Sequence, residues 1–519
     1  MPGRVTTNFR KHNAEQFYEA FSEADESRMY FFIGRSTTWA DDASPPTPMD
    51  SIQETEYNVW NNMLAAKRVQ TADVSYSVDR NNWANNTFFT DYDSTNPQLQ
   101  QNTFFVMTTD YNVYKCMYNN GANSTSHAAN STVVPTGTST STLSTSDGYK
   151  WKYMYSISTA DVLKFLTTSY IPVSTDSTVA AAASNGAIDV IDVDAGGNSY
   201  VADKGSVVSV TNSSVMVLNS SASTTDDIYN GSGLYISSGT GSGQVATIQT
   251  YTGSSRTVTL ASGYSVTPAG PGDSTYDIGP LVTIAGDGSG ASAYANVIIG
   301  GASGNAVNKI SMISVGSKYS IANAAISANS SHGSGATATP RLAPPGGHGS
   351  NAVSELYGYN VMVNVQLTGS EGNTFPTGQD FRVFGLLKDP LTAAGAAATA
   401  SAYDQTTRLT LTSISGSARY TKDELISGGT STAKARVVGF ANTNAANTTG
   451  TLSLTGLDKT FSVSETITGG SSSITATVGA IASSGDLLPY KGNVLYVENR
   501  GAIQRATDQT EDIKIVVKF

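Results

Sequence analysis

Four histidines are the residues of this sequence best suited to holding a metal ion. His332 and His348 lie in glycine-rich stretches, and His12 and His127 are the other two. Metal sites combine histidines with Cys, Asp or Glu at short, regular spacings, and no such residue stands at ligand spacing beside this pair. We therefore interpret the histidines as exposed loop residues, and the sequence predicts no metal site.

Two glycine-rich segments have the composition of phosphate-binding loops. They are Gly239–Gly243 and Gly286–Gly290. A phosphate loop also needs a Lys-Ser/Thr pair and a position between a strand and a helix, and neither segment has them. We interpret both as tight β-turns, so no cofactor or cofactor-binding residue is predicted.

Residues for hydrolytic or nucleophilic catalysis are equally sparse. A glycan-cleaving enzyme needs two carboxylates across a groove, and we interpret the candidates Asp226, Asp227 and Asp273 as ordinary turn and surface residues. No GxSxG nucleophile stands between a strand and a helix. The single cysteine, Cys116, has alternating apolar and aromatic neighbours, which predicts a buried, unreactive thiol. No catalytic residue is predicted, and we expect that the chain is not an enzyme.

The composition restricts the class of protein further. The net charge of −11 comes without a basic cluster, which disfavours nucleic acid as a partner. Charged residues make up 14% of the chain, against about 25% in ordinary globular proteins, and Gly, Ser, Thr, Asn and Ala replace them. This mixture is typical of β-rich modules with many turns. No apolar run approaches a membrane span and the start lacks a signal peptide, so we expect a soluble protein made in a cytoplasm, without membrane insertion.

The 519 residues are too many for one core, and we predict a mainly β, multidomain fold. Its core is sandwich-like, with a few helices and inserted small β modules. Four segments are predicted: an N-terminal α+β core at 1–180; a β repeat region at 181–350 with an insertion at 208–280; a β core formed by 351–390 together with 484–519; and an inserted module at 391–483.

The elements of the first segment follow from apolar spacing. Aromatic residues at helical spacing predict a first helix, and a capping box at Ser51–Glu54 predicts a second. We expect the second helix to carry Val59, Trp60, Met63 and Leu64 on one face. Gly121–Ser146, which has no charged residue, is predicted to be a long loop. The predicted strands are Met29–Gly34, Val74–Val78, Thr103–Thr108 and Tyr111–Tyr118; Asp147–Ile157 re-enters the core, and Ser158 and Asp161 begin a helix that ends near Leu166.

Two internal repeats organise the remaining chain. Ala187–Tyr200 aligns with Ala306–Tyr319, and each copy continues to a GSG-Ala-x-Ala segment, at Gly288–Ala293 and Gly333–Ala338. The first copy needs about 75 more residues to get there, which indicates the insertion at 208–280. A second repeat has a spacing of 41 residues. In it Tyr420–Val438 matches Phe461–Gly479, and Glu424 aligns with Glu465.

The end of the chain alternates apolar and charged residues. Ile513, Ile515, Val517 and Phe519 fall on one face of a predicted strand, and Val494–Val497 forms another. The chain is therefore expected to end inside a sheet that closes a core begun near the N-terminus.

Five segments together resemble a known family. They are IGRSTTW (Ile33–Trp39), VYKCMY (Val113–Tyr118), SDGYKWKYMYSI (Ser146–Ile157), FRVFGLLKDPL (Phe381–Leu391), and the closing stretch with VLYVENR (Val494–Arg500) and DQTEDIKIVVKF (Asp508–Phe519). In this order they resemble the baseplate wedge protein, the gene-8 product, of T-even-type contractile-tailed phages.

The resemblance implies a structural subunit of the phage tail baseplate. It implies a homodimer that bridges other wedge proteins, with tail-fibre or peripheral baseplate proteins as further candidate partners. We expect it to move as a rigid body during sheath contraction, to be located in the virion and to be assembled in the host cytoplasm. Two alternatives stay open, a host-binding fibre or adhesin component and a polysaccharide depolymerase.

Overall fold

The computed structural model shows a mainly β protein, with 46% of residues in strands and 9% in helices. This confirms the predicted fold class. No helix in the described part of the chain is long and apolar enough to cross a membrane. The structure describes residues 5–23, 27–49, 51–121, 130–301, 304–327, 333–372, 374–416 and 419–519.

The regular elements are five short helices and 31 strands in the described residues. The helices are α1 Thr7–Glu19, α2 Ile52–Asn62, α3 Thr159–Phe165, α4 Ser177–Ala182 and α5 Ala352–Glu355. The strands up to residue 301 are β1 Met29–Gly34, β2 Met63–Arg68, β3 Val74–Asp79, β4 Phe105–Met107, β5 Asn112–Tyr118, β6 Leu143–Ser144, β7 Lys150–Ser156, β8 Tyr170–Val173, β9 Ile188–Asn198, β10 Asp203–Asn212, β11 Val215–Leu218, β12 Gly233–Ser238, β13 Val245–Thr252, β14 Thr257–Leu260, β15 Thr275–Gly279, β16 Leu281–Gly286 and β17 Ser289–Gly301. The remaining strands are β18 Gly304–Ser317, β19 Ala322–Ser327, β20 Ser334–Leu342, β21 Asn360–Thr368, β22 Asp380–Lys388, β23 Ala402–Asp404, β24 Thr407–Thr412, β25 Leu425–Gly428, β26 Lys434–Asn442, β27 Gly450–Thr455, β28 Thr466–Gly469, β29 Thr475–Ser484, β30 Asn493–Gln504 and β31 Thr510–Lys518.

The chain forms two compact units. Unit 1 contains Met1–Ser77, Leu163–Phe165 and Tyr359–Phe519, and unit 2 contains Val78–Val162 and Leu166–Gly358. The division into four segments proposed from the sequence stays a prediction.

Unit 1 is built on antiparallel sheets that join distant parts of the sequence. One sheet has the order β23-β2-β1-β22-β30, and in another β21 lies between β31 and β3. The last residue, Phe519, contacts Phe17 with ring centres 5.5 Å apart. The expected closing of an N-terminal core by the last strand is confirmed.

The second helix is shorter than the sequence predicted. α2 ends at Asn62, and Met63 and Leu64 are the first residues of β2, where both are buried. The backbone becomes extended at Met63 because β2 pairs with β1, with Met63 opposite Gly34. Apolar residues at helical spacing therefore belong to two different elements here. Ser51 is the N-cap of α2, but its side chain makes no capping hydrogen bond in the described structure.

Unit 2 contains a four-stranded sheet and a six-stranded sheet. Their orders are β4-β5-β7-β6 and β18-β17-β16-β19-β20-β9. Within the described residues 130–146 of the predicted long loop, β6 is the one strand, and it pairs with β7. Ser158 caps α3 by accepting a hydrogen bond from the Asp161 backbone N–H, and Leu166 ends that helix, as predicted.

The first repeat forms the six-stranded sheet by exchanging strands between its copies. β9 of the first copy pairs with β20 of the second, and β18 of the second pairs with β17 of the first. The phenol oxygen of Tyr200 accepts a hydrogen bond from the Ala336 backbone N–H at 3.1 Å. The aligned glycines Gly197 and Gly316 both have positive φ, 61° and 63°, a conformation that glycine adopts without strain.

Two closed six-stranded barrels complete the fold. β10 to β15 form one in unit 2, with the order β10-β11-β14-β13-β12-β15, and β24 to β29 form the other in unit 1, with the order β24-β27-β26-β25-β28-β29. Each barrel has its own apolar core, which includes Met216 and Ile278 in the first and Leu452 and Val478 in the second.

Candidate functional site

Three of the five motif segments meet in unit 1 around Arg382. β22 carries Arg382 between β1 and β30, so that Ile33–Trp39 and Val494–Arg500 lie on either side of Phe381–Leu391. The Arg382 side chain is only 3% exposed. Its guanidinium group donates two hydrogen bonds of 3.0 Å and one of 2.7 Å to the Asp42 carboxylate and one of 2.5 Å to the Ser36 carbonyl oxygen. We call this group the Arg382 network.

Trp39 extends the Arg382 network to the loop that follows β1. Its backbone N–H donates to Asp42 at 2.8 Å, and its indole N–H donates to the carbonyl oxygen of Arg500 at 2.8 Å. The Arg35 guanidinium carbon lies 3.7 Å from the centre of the indole ring, a cation–π contact. Hydrogen bonds from Arg382 hold the pKa of Asp42 below its ordinary value, so the carboxylate is charged near neutral pH.

A groove lies beside the Arg382 network in unit 1. Its volume is about 300 Å³, and Arg35, Trp39, Pro46–Met49, Val59 and Asn499 are among its lining residues. Tyr57, 51% exposed, stacks on Tyr490, 50% exposed, with ring centres 6.4 Å apart. Tyr, Trp and Arg side chains are enriched at surfaces that bind proteins.

The other two motif segments form a second centre, in unit 2. β5 and β7 pair with Lys115 opposite Lys152, and Lys115 is fully buried. The Lys115 ammonium forms an ion pair with Glu355 and lies 2.7 Å from Nδ1 of His348. Glu355 also accepts hydrogen bonds from the Gly349 backbone N–H, at 2.8 and 3.0 Å. We call this group the Lys115 centre.

The Lys115 centre overturns the interpretation of His348 as an exposed loop residue. His348 is 3% exposed, and its ring lies against Tyr92 with centres 5.0 Å apart. Burial and the nearby Lys115 charge lower its pKa well below the ordinary value, so the ring is neutral and Nδ1 accepts from the ammonium. His12 is exposed, as expected. His127 and His332 lie outside the described residues, and within those residues no three His, Cys, Asp or Glu side chains form a group that could hold a metal.

The other candidate residues have structural roles. Gly239–Gly243 is the turn between β12 and β13, and within Gly286–Gly290 the residues Asp287 and Gly288 join β16 to β17, which confirms the predicted tight turns. Asp226 accepts a hydrogen bond from the Gly253 backbone N–H at 2.7 Å, and Asp227 and Asp273 likewise accept from backbone N–H groups.

Cys116 is fully buried on β5, as the sequence predicted. Burial raises the pKa of its thiol well above the ordinary value, which leaves it protonated and unreactive.

Sequence reasoning missed Arg382, Asp42 and Glu355, although part of the signal was present. A lone cation inside an apolar strand, such as Arg382 in FRVFGLL or Lys115 in VYKCMY, has to be paired when the strand is buried. The partners could not be read from the sequence, because Asp42 is 340 residues from Arg382 and Glu355 is 240 residues from Lys115.

These observations define a class: a mainly β protein whose charged motif residues hold strands and loops together. Residues 3–117 and 90–190 match the family model described as Bacteriophage T4, Gp8, so the matches span residues 3–190. The resemblance expected from the sequence is confirmed over this region: residues 3–190 are similar to that family of phage baseplate wedge proteins. The family has a structural role in the tail baseplate of the virion, where other baseplate proteins are the partners. No curated protein sequence matches the chain significantly.

Proposed function

We propose that the chain is a wedge subunit that forms a homodimer, bridges other wedge proteins of a contractile tail and turns as a rigid body when the sheath contracts. The match of residues 3–190 to the Gp8 family carries this proposal. The Arg382 network and the Lys115 centre support it, because both use buried charges to fix packing. The chain has no catalytic activity in this proposal, in keeping with the structural role of the Gp8 family.

Long-range strand pairing within unit 1 supports the rigid-body part of the proposal. β1 pairs with β22 over six consecutive residues, and β22 pairs with β30. The six residues of β1 are all buried, so refolding this sheet would expose a core. Rotation at subunit interfaces requires no such exposure, and it is a common form of conformational switching.

Exposed apolar side chains support the homodimer. Stable subunit interfaces are large and relatively apolar. In unit 1, Phe9 is 54% exposed and Met49 is 59% exposed, in addition to the Tyr57–Tyr490 pair. Light scattering coupled to gel filtration should give about 108 kDa for the purified protein, twice the chain mass of 54.1 kDa. A mass near 54.1 kDa at micromolar concentration would contradict the dimer.

The location in the particle separates the proposal from its alternatives. Antibody raised against the recombinant protein should label intact virions at the baseplate in a sixfold ring when they are imaged by electron microscopy. Label along the fibres or at their tips would mean that host binding is the main function. A depolymerase would release glycan from host surface polysaccharide, and the purified protein is expected to release none. Assembly in the host cytoplasm predicts labelled baseplates in infected cells before lysis.

A further inference from the structure

A cavity with an excess of positive charge lies within unit 2. Its volume is about 390 Å³, within the range of roughly 300–1,000 Å³ for small-molecule sites. β7 contributes Lys150 and Lys152, β18 contributes Lys309, and β9 contributes Asp189. The lining also carries Ser and Thr hydroxyl groups, including Thr142 and Ser311. The wall therefore combines cations with hydroxyl donors in a protein whose net charge is −11.

The lysines of the cavity differ from the other buried cations in whether a carboxylate neutralises their charge. Arg505 donates to Glu511 at 2.8 Å, and Lys115 is paired with Glu355. Lys150 is 8% exposed and Lys152 is 5% exposed. Within the described residues, Lys150, Lys152 and Lys309 form no salt bridge. Lys152 donates to the carbonyl oxygen of Thr140, and the ammonium of Lys150 lies 5.7 Å from the ring of Tyr118.

The charges of the cavity sum to two positive units. Lys150, Lys152 and Lys309 contribute three, and Asp189, which accepts a hydrogen bond from the Thr142 hydroxyl at 3.2 Å, contributes one negative charge. His348 is neutral. Repulsion from Lys309 adds to burial in lowering the pKa of Lys150 to about 8. Buried cations without a partner are unfavourable, and a bound anion would remove that cost.

We propose that this cavity binds a small dianionic oxyanion of the phosphate class, as a free ion or as a phosphate ester of a small polar molecule. The ammonium groups of Lys150 and Lys309 pair with its oxygens, and the hydroxyl groups donate further hydrogen bonds. The volume leaves room for an organic group beside the phosphate. This binding is independent of the wedge role.

Isothermal titration calorimetry on the full-length protein tests the site, with inorganic phosphate and glucose 6-phosphate as the two probes. Wild-type protein should bind phosphate, and Lys150→Met and Lys309→Met should each weaken binding at least tenfold. Lys309→Arg keeps the charge and should keep most of the affinity. Lys204→Met is the matched control, because Lys204 lies on β10 outside the cavity, so its affinity should stay within twofold of wild type. Tighter binding of the sugar phosphate would identify an ester as the ligand, and tighter binding of phosphate would identify the free ion.

Three results would overturn the proposal. The first is no phosphate binding by the folded wild-type protein. The second is unchanged binding by Lys309→Met, and the third is an equal loss in Lys204→Met, which would indicate general charge screening. Lys309 is only partly buried, so its variant should fold even if Lys150→Met does not.

Discussion

Buried charges divide into two kinds at the scale of single residues. Arg382, Lys115 and Arg505 are buried beside a carboxylate, and each fixes parts of the chain that are distant in sequence or lie in loops. Lys150 is buried without one in the described residues. In the first kind, the ion pair holds packed elements together, and removing one partner would leave the other charge unpaired. In the second kind, the buried charge lowers the stability of the folded protein without an ion pair that offsets the cost.

Replacing Lys150 should therefore stabilise the protein at neutral pH. Burial, repulsion from Lys309 on β18 and the opposing attraction of Asp192 and Asp189 on β9 leave the pKa of Lys150 at about 8, and Tyr118 on β5 is its ring neighbour. The unfolded chain holds this proton up to about pH 10.4. The cost of the buried charge is thus full below pH 8 and disappears above pH 10.4. In phosphate-free buffer, Lys150→Met should raise the free energy of unfolding by up to about 3 kcal/mol at pH 7.

Urea unfolding at pH 7 and pH 10.5 measures this difference. The advantage of Lys150→Met should shrink at the higher pH, whereas Lys204→Met should show no such change. A variant that is less stable than wild type at pH 7 would show that Lys150 contributes packing that exceeds the cost of its charge.

Two buried glutamates, Glu424 and Glu465, should stabilise the barrel β24–β29. Glu465 is 4% exposed and accepts hydrogen bonds from the backbone N–H groups of Ser431, at 2.8 Å, and Ser462, at 2.6 Å. Burial opposes ionisation, but these donors hold the pKa of Glu465 below its ordinary value. Glu465→Gln should destabilise the barrel by roughly 1.5–3 kcal/mol at pH 7, since hydrogen bonds to a charged group are lost.

The pH dependence of the stability difference between wild type and Glu465→Gln shows whether the ionised form of Glu465 stabilises the fold. A lowered folded pKa gives stability that is present above the unfolded value of about 4.3 and lost as the pH falls through the folded value. Thermal unfolding should therefore separate the variant from wild type at pH 7, and the difference should shrink as the pH falls below the unfolded value of about 4.3. Glu15→Gln on the exposed face of α1 is the control, with an expected change below about 0.5 kcal/mol. Equal shifts for both variants would refute the assignment.

At the scale of elements, the two copies of each repeat bind each other through reciprocal contacts. Glu424 of the first 41-residue copy accepts hydrogen bonds from Ser471 and Ser472 in the glycine turn of the second, and Glu465 of the second accepts from Thr430 and Ser431 in the turn of the first. β9 and β18 exchange partner strands in a similar way. Neither copy is complete without the other, which explains why two copies suffice for a closed structure.

The two barrels share one circular strand order. Counting strands from one in each, the orders are 1-2-5-4-3-6 and 1-4-3-2-5-6. Adding two to each strand number of the first barrel, with strand 1 following strand 6, gives the ring 3-4-1-6-5-2. Reading this ring in the opposite direction from strand 1 gives the order of the second barrel. The barrels therefore differ in where the chain enters one common arrangement.

Both barrels should be removable without unfolding the rest of the chain. In the first barrel Asp203 pairs with Ile278, and in the second Thr407 pairs with Ser484. The first and last strands of each barrel are therefore neighbours. Paired residues are about 5 Å apart, which a short Gly-Ser linker spans. Replacing residues 203–279 with such a linker should give soluble protein with an unchanged gel-filtration dimer. A deletion ending inside the barrel, after residue 250, is the control and should aggregate. Insoluble protein from the complete excision would show that the barrel core supports the six-stranded sheet.

The sequence could predict which segments form strands. It could not predict which strands pair with each other or that six strands close into a barrel. Alternation and apolar runs identified β5, β7 and β31, because burial of one or both faces determines which residues a strand needs. Met63 and Leu64 were misplaced because their spacing fits a helix equally well. The barrel closures and the Arg382 network depend on pairs more than 70 residues apart, such as Thr407 with Ser484, and local patterns carry no information about such partners.

At the scale of the whole molecule, the buried networks make each unit resist internal change, so triggering should leave the units intact. Reconstructions of the baseplate before and after sheath contraction should superpose within each unit to about 1 Å over the described strands, a typical value for pre-organised partners. β1 should stay between β2 and β22, and Arg382 should keep Asp42, in both states.

A variant that cannot keep the Arg382 network tests whether this rigidity matters for contraction. Arg382→Met removes the guanidinium donors of Asp42, which keeps the Trp39 backbone N–H, and the donor of the Ser36 carbonyl oxygen, so the loop after β1 should loosen while β22 stays in place. Phages carrying Arg382→Met should assemble fewer contractile particles than phages carrying Arg10→Met, a matched change at an exposed residue of α1. If both phages contract equally well and β22 leaves β1 in the contracted state, the subunit refolds during triggering and does not turn as a rigid body.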